Sequence, residues 1–549
     1  MPNEIGGKRK KATNFSKNYE SDISLLGSQK RKSQLNKASL KTAGGTLFSR
    51  ITGLLRLIVL AYAIGGSKLA DAFNLANNTP NMVHDLVLGG IMAATFVPVL
   101  IERMSKCSEN EIRESISAIV SLSIIILVAA TVIFEFLAPE IINLYTFGTK
   151  VNPQERSIAV ELLRFFAPQV LFYGFFGVIA SLLATRDKFE IVGIAPATNN
   201  IVGIVILLVF SFITKKTGIE NLSLSSTQLI LLGVGTTVAV ASQILVLLPY
   251  LKRERFRFRF SVNFKDPAIR MIISLSSWTL GFVIANQLAV FFIMALEVRS
   301  GVGGVSAYTY AFTFFQLPFG VIAVSIVNVI TPDFARFYSA RNPRQFANRF
   351  SLGSRQVMAL VIPATVGYLI LARPIVGVLI GHGQESSTAV HLTAATLVMF
   401  ALGLPGFCIF FLTIRAFQAM HDTKTAFILY VIENGANIIT AIFLYQHFGV
   451  KGLALSYSIA YSLGALVALS LLRERLGAIG GKKILARSAE SLIYSILMGF
   501  VIALVGALFS PTNNLYTFFI LILQVACGLL VYLGAASAVR SIKIRKKSL

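Results

Sequence analysis

Four long stretches of this 549-residue chain contain no charged side chain at all. They are residues 221–251, 271–296, 300–332 and 491–539. About 20 apolar residues cross the hydrocarbon core of a bilayer as a helix, and in lipid a helix satisfies its own backbone hydrogen bonds. Hydrophobic residues make up 55% of the chain and charged residues only 14%. The sequence therefore predicts an all-α polytopic membrane protein.

Charge clusters, Pro/Gly turns and polar loops divide the apolar runs into fourteen candidate transmembrane helices. They lie near 43–65, 79–102, 114–137, 158–184, 190–213, 227–250, 268–296, 305–331, 352–372, 389–413, 425–446, 452–472, 487–509 and 514–538.

The positive charge of the chain is distributed unequally between the two sides of this map. With the N-terminus inside, 39 of the 50 Lys and Arg residues fall in cytoplasmic segments, 8 fall in the opposite loops and 3 lie within spans. This asymmetry is typical of the positive-inside rule and predicts cytoplasmic termini. It also accounts for most of the net charge of +25 without a nucleic acid partner, because the basic residues are spread over short loops.

An internal repeat relates the first six spans to the next six. An offset of 235 residues aligns Phe175-Phe176 with Phe410-Phe411 and Asp187 with Asp422. Because six is an even number, both copies enter the membrane from the same side, so their pseudo-two-fold axis runs along the membrane normal. Transporters built from such repeats hold the substrate between the halves.

The repeat and the loops divide the chain into seven segments. They are a basic, disordered cytoplasmic tail (1–42), an N-lobe of six helices (43–251), a basic cytoplasmic linker (252–270), a C-lobe of six helices (271–473), a cytoplasmic loop (474–486), helices 13 and 14 (487–538) and a second basic tail (539–549).

Two arginines, Arg50 and Arg56, lie within the first span. A charge inside a span is costly, so it is expected to face a wet cavity or a partner. Six helical residues separate the two arginines by about 9 Å along the axis and about 120° around it. They can therefore border one broad cavity, although they cannot form one narrow stripe. The alternative is that they only snorkel or help to orient the span.

Acidic and amide residues supply further candidates. Asp71 precedes the second span on the outer side and is either a helix cap or, as the partner of an arginine, a residue that closes an outer gate. His84 and Asp85 lie within that span and are candidate residues of the cavity, with a local pair facing polar groups as the alternative. Glu433 and Asn437 are four residues apart on helix 11 and share a face. Their oxygens suit Na⁺ or a proton relay, so they are candidate ion-coupling residues.

No enzyme motif accompanies these residues. The sequence has no Walker A loop, no nucleophile elbow and no cluster of metal-ligand spacing. We therefore predict a transporter without an organic cofactor or a resident metal.

Several motifs resemble those of the MurJ/MviN family of lipid II flippases, which belongs to the multidrug/oligosaccharidyl-lipid/polysaccharide exporter superfamily. The resemblance covers roughly residues 40–540. It rests on Phe48-Ser49-Arg50 with Gly53 and Arg56, Ala70-Asp71-Ala72-Phe73, Pro80-Asn81, Phe96-Val97-Pro98, Gln316-Leu317-Pro318-Phe319-Gly320-Val321, Arg415-Ala416-Phe417-Gln418-Ala419 and Asp422-Thr423-Lys424-Thr425.

The resemblance implies a flippase of cell wall synthesis in the bacterial plasma membrane. It implies a cationic cavity between the lobes for the diphosphate and sugars of lipid II, and a groove of helices 13 and 14 for the polyprenyl tail. Ser49, Arg50, Arg56 and Asp71 match family residues. Family members often carry arginines where this chain has His84 and Thr313, so the cavity is less positive here.

Three other readings compete with this one. A flippase for another polyprenyl-linked glycan would use the same diphosphate handle. A cation-coupled multidrug exporter of the superfamily would have carboxylates and aromatic residues in its cavity and twelve spans. A scaffold that recruits cell wall synthesis or division proteins would depend on residues 1–41 rather than on Arg50 and Arg56. The basic tail is also expected to attract anionic membrane lipids.

Overall fold

The computed structural model contains fourteen helices in the residues that it describes, and they are numbered α1 to α14 here. The described residues are 44–45, 48–84, 109–149, 151–186, 188–214, 224–254, 258–261, 267–384, 386–509 and 514–548. The predicted tail 1–42 and Asp85 lie outside them, and so does the side chain of His84.

The helices occur in the following order along the chain. They are α1 (48–64), α2 (Lys68–His84), α3 (Glu109–Tyr145), α4 (Pro153–Ala184), α5 (Phe189–Thr214), α6 (Ser226–Arg253), α7 (Pro267–Arg299), α8 (Gly304–Ser339), α9 (Pro343–Ile380), α10 (Ser387–Ala419), α11 (Thr423–Phe448), α12 (Val450–Leu476), α13 (Gly481–Leu508) and α14 (Asn514–Ser548).

Thirteen of the fourteen predicted spans coincide with these helices, and the second, 79–102, overlaps the end of α2 and otherwise lies outside the described residues. In the described part of the chain, eleven helices are long and apolar enough to cross a membrane. The predicted start of the second span was late, because α2 begins at Lys68 rather than at residue 79. The first turns of α2 contain three polar residues, Asp71, Asn74 and Asn78, which form hydrogen bonds with α8. Hydropathy therefore does not mark these turns as part of a span.

The helices form two lobes. Helices α1 to α6 make the N-lobe, in which α4 packs against α2, α3 and α6, and α5 packs against α6. Helices α7 to α12 make the C-lobe, whose most extensive contact joins α10 to α12. The lobes meet where α2 contacts α8 and where α3 contacts α7. The predicted architecture of two six-helix lobes is therefore confirmed.

Helices α13 and α14 lie against the outside of the C-lobe, where both contact α9. The hydroxyl of Tyr532 on α14 donates to the carbonyl oxygen of Ala359 on α9, and it lies 2.8 Å from the hydroxyl of Ser491 on α13. Large apolar side chains elsewhere on the pair are exposed, as expected for surfaces that face lipid. The predicted polyprenyl groove belongs to this pair and remains a prediction.

Helix α8 contains an irregular turn. Residues Phe319–Ala323 form a π-helical turn directly after Pro318, and the amide of Val324 donates to the carbonyl oxygen of Phe319. Proline has no N–H group and its ring crowds the preceding turn, so the regular ladder of hydrogen bonds is interrupted there. Such turns are often found at functional sites.

Candidate functional site

The two lobes are joined through Asp71 at one end of the bundle. This end, which carries the α1–α2 connection (65–67) and the α7–α8 connection (300–303), is called the gate end. The Asp71 carboxylate accepts hydrogen bonds from the amide of Gly303 at 2.6 Å, the amide of Ser306 at 2.9 Å and the hydroxyl of Ser306 at 2.7 Å. An acidic side chain of the N-lobe thus caps the first turn of α8 in the C-lobe, where free amides and the helix dipole favour a negative charge.

Other polar contacts across the lobes surround this cap. On α2, the amide nitrogens of Asn74 and Asn78 each lie 3.3 Å from a hydroxyl of α8, those of Ser306 and Thr309. The hydroxyl of Tyr310 donates to the carbonyl oxygen of Gly65 at 3.1 Å. Asp71 is only 5% exposed and Asn74 only 2%. The lobes are therefore closed against each other at the gate end.

Arg50 points from α1 of the N-lobe to α8 of the C-lobe. Its guanidinium lies against Gly320 in the π-helical turn: a Cβ atom on Gly320 would be 2.9 Å from Nε and closer still to Cζ and Nη1. Arg50 is half-buried, and it forms no hydrogen bond or ion pair with the described residues. Its N–H groups are thus free to bind an anion.

Arg56 points in another direction and stays within the N-lobe. Its Nη1 lies 3.4 Å from Oδ1 of Asn199 on α5, and its Nε would be 3.0 Å from a Cβ on Gly203 of the same helix. Like Arg50, it has no acidic partner in the described part of the chain. The structure therefore directs the two arginines to different helices, as expected from their separation of about 120° around α1.

Ser49 holds α1 to α5 through its backbone. Its carbonyl oxygen accepts from Nδ2 of Asn200 at 3.0 Å, and the same nitrogen lies 3.1 Å from the hydroxyl of Thr52. A substrate role for the Ser49 side chain remains a prediction. Asn199 and Asn200 orient α1, and sequence reasoning did not assign them this role, although a repeat offset of 237 instead of 235 aligns Asn200 with Asn437.

Thr313 on α8 occupies a position where family members often carry an arginine. At Thr313 the hydroxyl donates to the carbonyl oxygen of Thr309 within α8, at 2.9 Å. The side chain of His84 and all of Asp85 lie outside the described residues. Arg50 and Arg56 are therefore the charges on which a cavity site can be argued.

Glu433 and Asn437 are both buried in the C-lobe, on α11. Glu433 is 1% exposed, and its Oε2 has no hydrogen-bond partner in the described residues. Asn437 uses Oδ1 to accept from the hydroxyl of Ser456 on α12 at 2.9 Å. An unpaired carboxylate oxygen is costly in such a place unless it takes up a proton or a cation. The pair thus fits the predicted coupling ion.

The fold consists of two six-helix lobes that a polar gate closes at one end. It carries two arginines that have no acidic partner in the described part of the chain. These features define a polytopic membrane transporter rather than an enzyme. A family model described as "Lipid II flippase MurJ" matches residues 60–524. The chain therefore belongs to the MurJ family.

Curated relatives support this assignment over most of the chain. A probable lipid II flippase MurJ of Rickettsia prowazekii is 25% identical over 497 residues, which cover 89% of this chain and 94% of the relative. The protein of the same name from Vibrio cholerae is 26% identical over 446 residues, which cover 80% of this chain and 82% of the relative.

Solved structures give the same result. A lipid II flippase MurJ in an inward closed conformation superposes with a TM-score of 0.75 at 26% identity, covering 92% of this chain and 99% of that one. An inward-facing multidrug resistance MATE transporter of the MOP superfamily superposes with a TM-score of 0.59 at 15% identity, covering 80% and 95% of the two chains. The latter match concerns the fold alone.

Proposed function

We propose that this protein flips lipid II, the undecaprenyl-diphosphate-linked peptidoglycan precursor, from the cytoplasmic to the outer leaflet of the bacterial plasma membrane. The observation that carries this proposal is a pair of arginines in a MurJ-family fold, Arg50 at the lobe interface and Arg56 within the N-lobe, neither of which has an acidic partner among the described residues. A guanidinium stays protonated and offers planar donors that match the oxygens of a diphosphate.

Alternating access is the mechanism that suits this arrangement. On the positive-inside rule, the end opposite the gate faces the cytoplasm, so the closed gate end faces outward. A headgroup enters between the lobes from the cytoplasm while its polyprenyl tail stays in the bilayer. The Asp71 contacts with α8 then break, the lobes part at the gate end and the headgroup leaves on the outer side.

An ion that returns the transporter to its starting state is a further part of the proposal. Glu433 would hold Na⁺ or a proton through its Oε2, which has no hydrogen-bond partner among the described residues, with Asn437 one turn further along α11. A bound cation neutralises a buried carboxylate, so its arrival and departure change the free energy of the C-lobe. The gradient of that ion would then drive the return step.

The proposal is tested by replacing each arginine with alanine in cells that depend on this protein. We expect Arg50→Ala and Arg56→Ala to lower the amount of lipid II accessible on the outer leaflet by tenfold or more, because each loses charge-assisted hydrogen bonds worth about 1.5 to 3 kcal/mol. Arg336→Ala is the control, since that arginine is 68% exposed near the end of α8. Normal export by correctly inserted Arg50→Ala and Arg56→Ala variants would contradict the proposal.

Reconstituted vesicles distinguish the substrate. Purified protein is offered labelled lipid II or a second polyprenyl-diphosphate glycan, and transfer between leaflets is measured with and without an imposed Na⁺ or proton gradient. Faster transfer of lipid II is expected. Equal transfer of both lipids would instead identify a flippase that recognises only the diphosphate and prenyl groups and not the glycan.

A further inference from the structure

Both cavity arginines lie against glycines of neighbouring helices, but the two glycines belong to different lobes. Arg56 lies over Gly203 on α5, in its own lobe, whereas Arg50 lies over Gly320 on α8, in the opposite lobe. When the lobes rock, the first pair moves as one body and the second pair must separate. Arg50 is thus the cavity charge whose environment changes during the cycle.

The position of this contact along the bundle supports that reading. Arg50 lies 14 residues before the gate end of α1 and Gly320 lies 16 residues after the start of α8. These intervals correspond to about 21 Å and about 24 Å of helix, so both residues lie at a similar depth, well below the gate. The contact therefore lies in the half of the bundle that is farther from the gate.

A glycine holds the guanidinium without using its hydrogen-bonding capacity. A carboxylate at this place would neutralise Arg50, and a polar side chain would occupy its donors. The bare backbone of Gly320 instead lets the flat group approach closely, while its N–H groups make no bond to the described residues. The π-helical turn after Pro318 determines which face of α8 carries Gly320 towards α1.

We propose that Gly320 is a positioning residue: because it has no side chain, Arg50 of the N-lobe can lie against α8 of the C-lobe. In this position the N–H groups of the guanidinium are available to the substrate diphosphate. The inference deepens the proposed function and depends on it. Any side chain at residue 320 would displace Arg50 from its position against α8, because a Cβ atom alone would already be 2.9 Å from Nε of Arg50. Binding of the diphosphate would be weakened while the fold is preserved.

The test is a double-mutant cycle on binding of lipid II to the purified, full-length protein in detergent. We expect Gly320→Ala to weaken binding about tenfold, the loss expected when a charge-assisted hydrogen bond is not made. In the Arg50→Ala background the same substitution should change binding by less than about twofold, because its effect passes through Arg50. Gly367→Ala on α9 is the control, since no atom lies within 4 Å of a Cβ at that position.

The outcomes separate this inference from the proposed function. If Arg50→Ala binds lipid II as tightly as the unmodified protein, the proposed role of Arg50 is wrong. If Arg50→Ala binds weakly but Gly320→Ala binds normally, only the positioning role is wrong. An equal loss from Gly320→Ala in both backgrounds would mean a general packing effect and would also overturn it.

A second variant tests the same inference in case the Gly320→Ala protein does not fold. Pro318→Ala removes the proline that precedes the π-helical turn, so a helix that becomes regular would change the direction in which Gly320 faces. We expect the same weakening and the same dependence on Arg50. Normal binding by a Pro318→Ala protein whose α8 has become regular would overturn the inference.

Discussion

At the scale of the residue, Asp71 shows how one carboxylate can link two lobes. It accepts three hydrogen bonds from Gly303 and Ser306, and it carries its charge to the positive end of α8. The sequence left open whether Asp71 was a cap or a gate partner. In the structure it caps a helix of the opposite lobe, and none of the ion pairs among the described residues joins it to an arginine.

Replacing Asp71 by Asn should weaken the closed gate. The amide has one acceptor oxygen and turns a donor towards the amides of α8, so the expected cost is about 2 kcal/mol, or more than tenfold in the population of the closed state. The measurement is the labelling rate of a cysteine placed at Leu75, one turn from Asp71, in protein whose native cysteines have been replaced. Labelling from the outer side should become faster.

Asp333→Asn is the matched control for this experiment, because Asp333 forms its ion pairs with Arg336 and Arg349 at the opposite end of α8. It should leave the labelling rate unchanged. An unchanged rate in the Asp71→Asn protein would show that the gate does not depend on this carboxylate.

Glu433→Gln tests the coupling proposal. The amide is neutral, so the variant should no longer respond to an imposed Na⁺ or proton gradient in vesicles, although it should still fold because it removes a buried charge. Glu474→Gln, on the exposed end of α12, is the control and should respond normally. A gradient response that survives in Glu433→Gln would exclude Glu433 as the coupling site.

At the scale of the element, the sequence predicts helices far better than the contacts between them. Apolar runs bounded by charge clusters and turns located the described helices, because lipid demands apolar faces and internally bonded backbones. The same reasoning missed the first turns of α2 and the contact between Arg50 and Gly320. Hydropathy is averaged over a window of residues. These features instead depend on a contact between helices that a single polar group makes or that a single glycine permits.

Helix α14 offers a test of how the outer pair is fixed to the C-lobe. Tyr532→Phe removes the hydroxyl that bonds to Ala359 and Ser491, and it should destabilise the α14 contact by about 1 kcal/mol. If this pair holds the polyprenyl tail, affinity should fall more for long-chain than for short-chain polyprenyl diphosphates. The measurements are the unfolding temperature in detergent and both affinities.

Tyr494→Phe is the control for that variant. Its ring lies 6.2 Å from the ring of Tyr532, but its hydroxyl makes no hydrogen bond in the described part of the chain. It should change neither measurement. Equal losses of affinity for long and short chains in Tyr532→Phe would show that α13 and α14 do not hold the tail.

At the scale of the whole molecule, the lobes are joined at the gate by polar contacts and also by buried apolar side chains. Asn78 and Thr309 meet across the gate at 3.3 Å, and one apolar cluster includes Phe73 on α2 and Val305 on α8. Hydrogen bonds of this kind exchange for bonds to water at little cost in free energy, whereas buried apolar contacts do not. Opening of the gate must therefore separate part of this cluster as well as the hydrogen bonds.

Linking the lobes at the gate should stop transport. Cysteines at Asn78 and Thr309, in protein without its native cysteines, are joined by a short thiol-reactive cross-linker that can be cleaved by reduction. We expect lipid II transfer in vesicles to fall to the background rate and to recover after cleavage. Cysteines at Lys188 and Glu254, whose side chains meet at 3.2 Å within the N-lobe, are the control and should leave transfer unchanged when linked. Since a rigid lobe tolerates an internal link, transfer at the normal rate through a linked gate would mean that the lobes do not separate there.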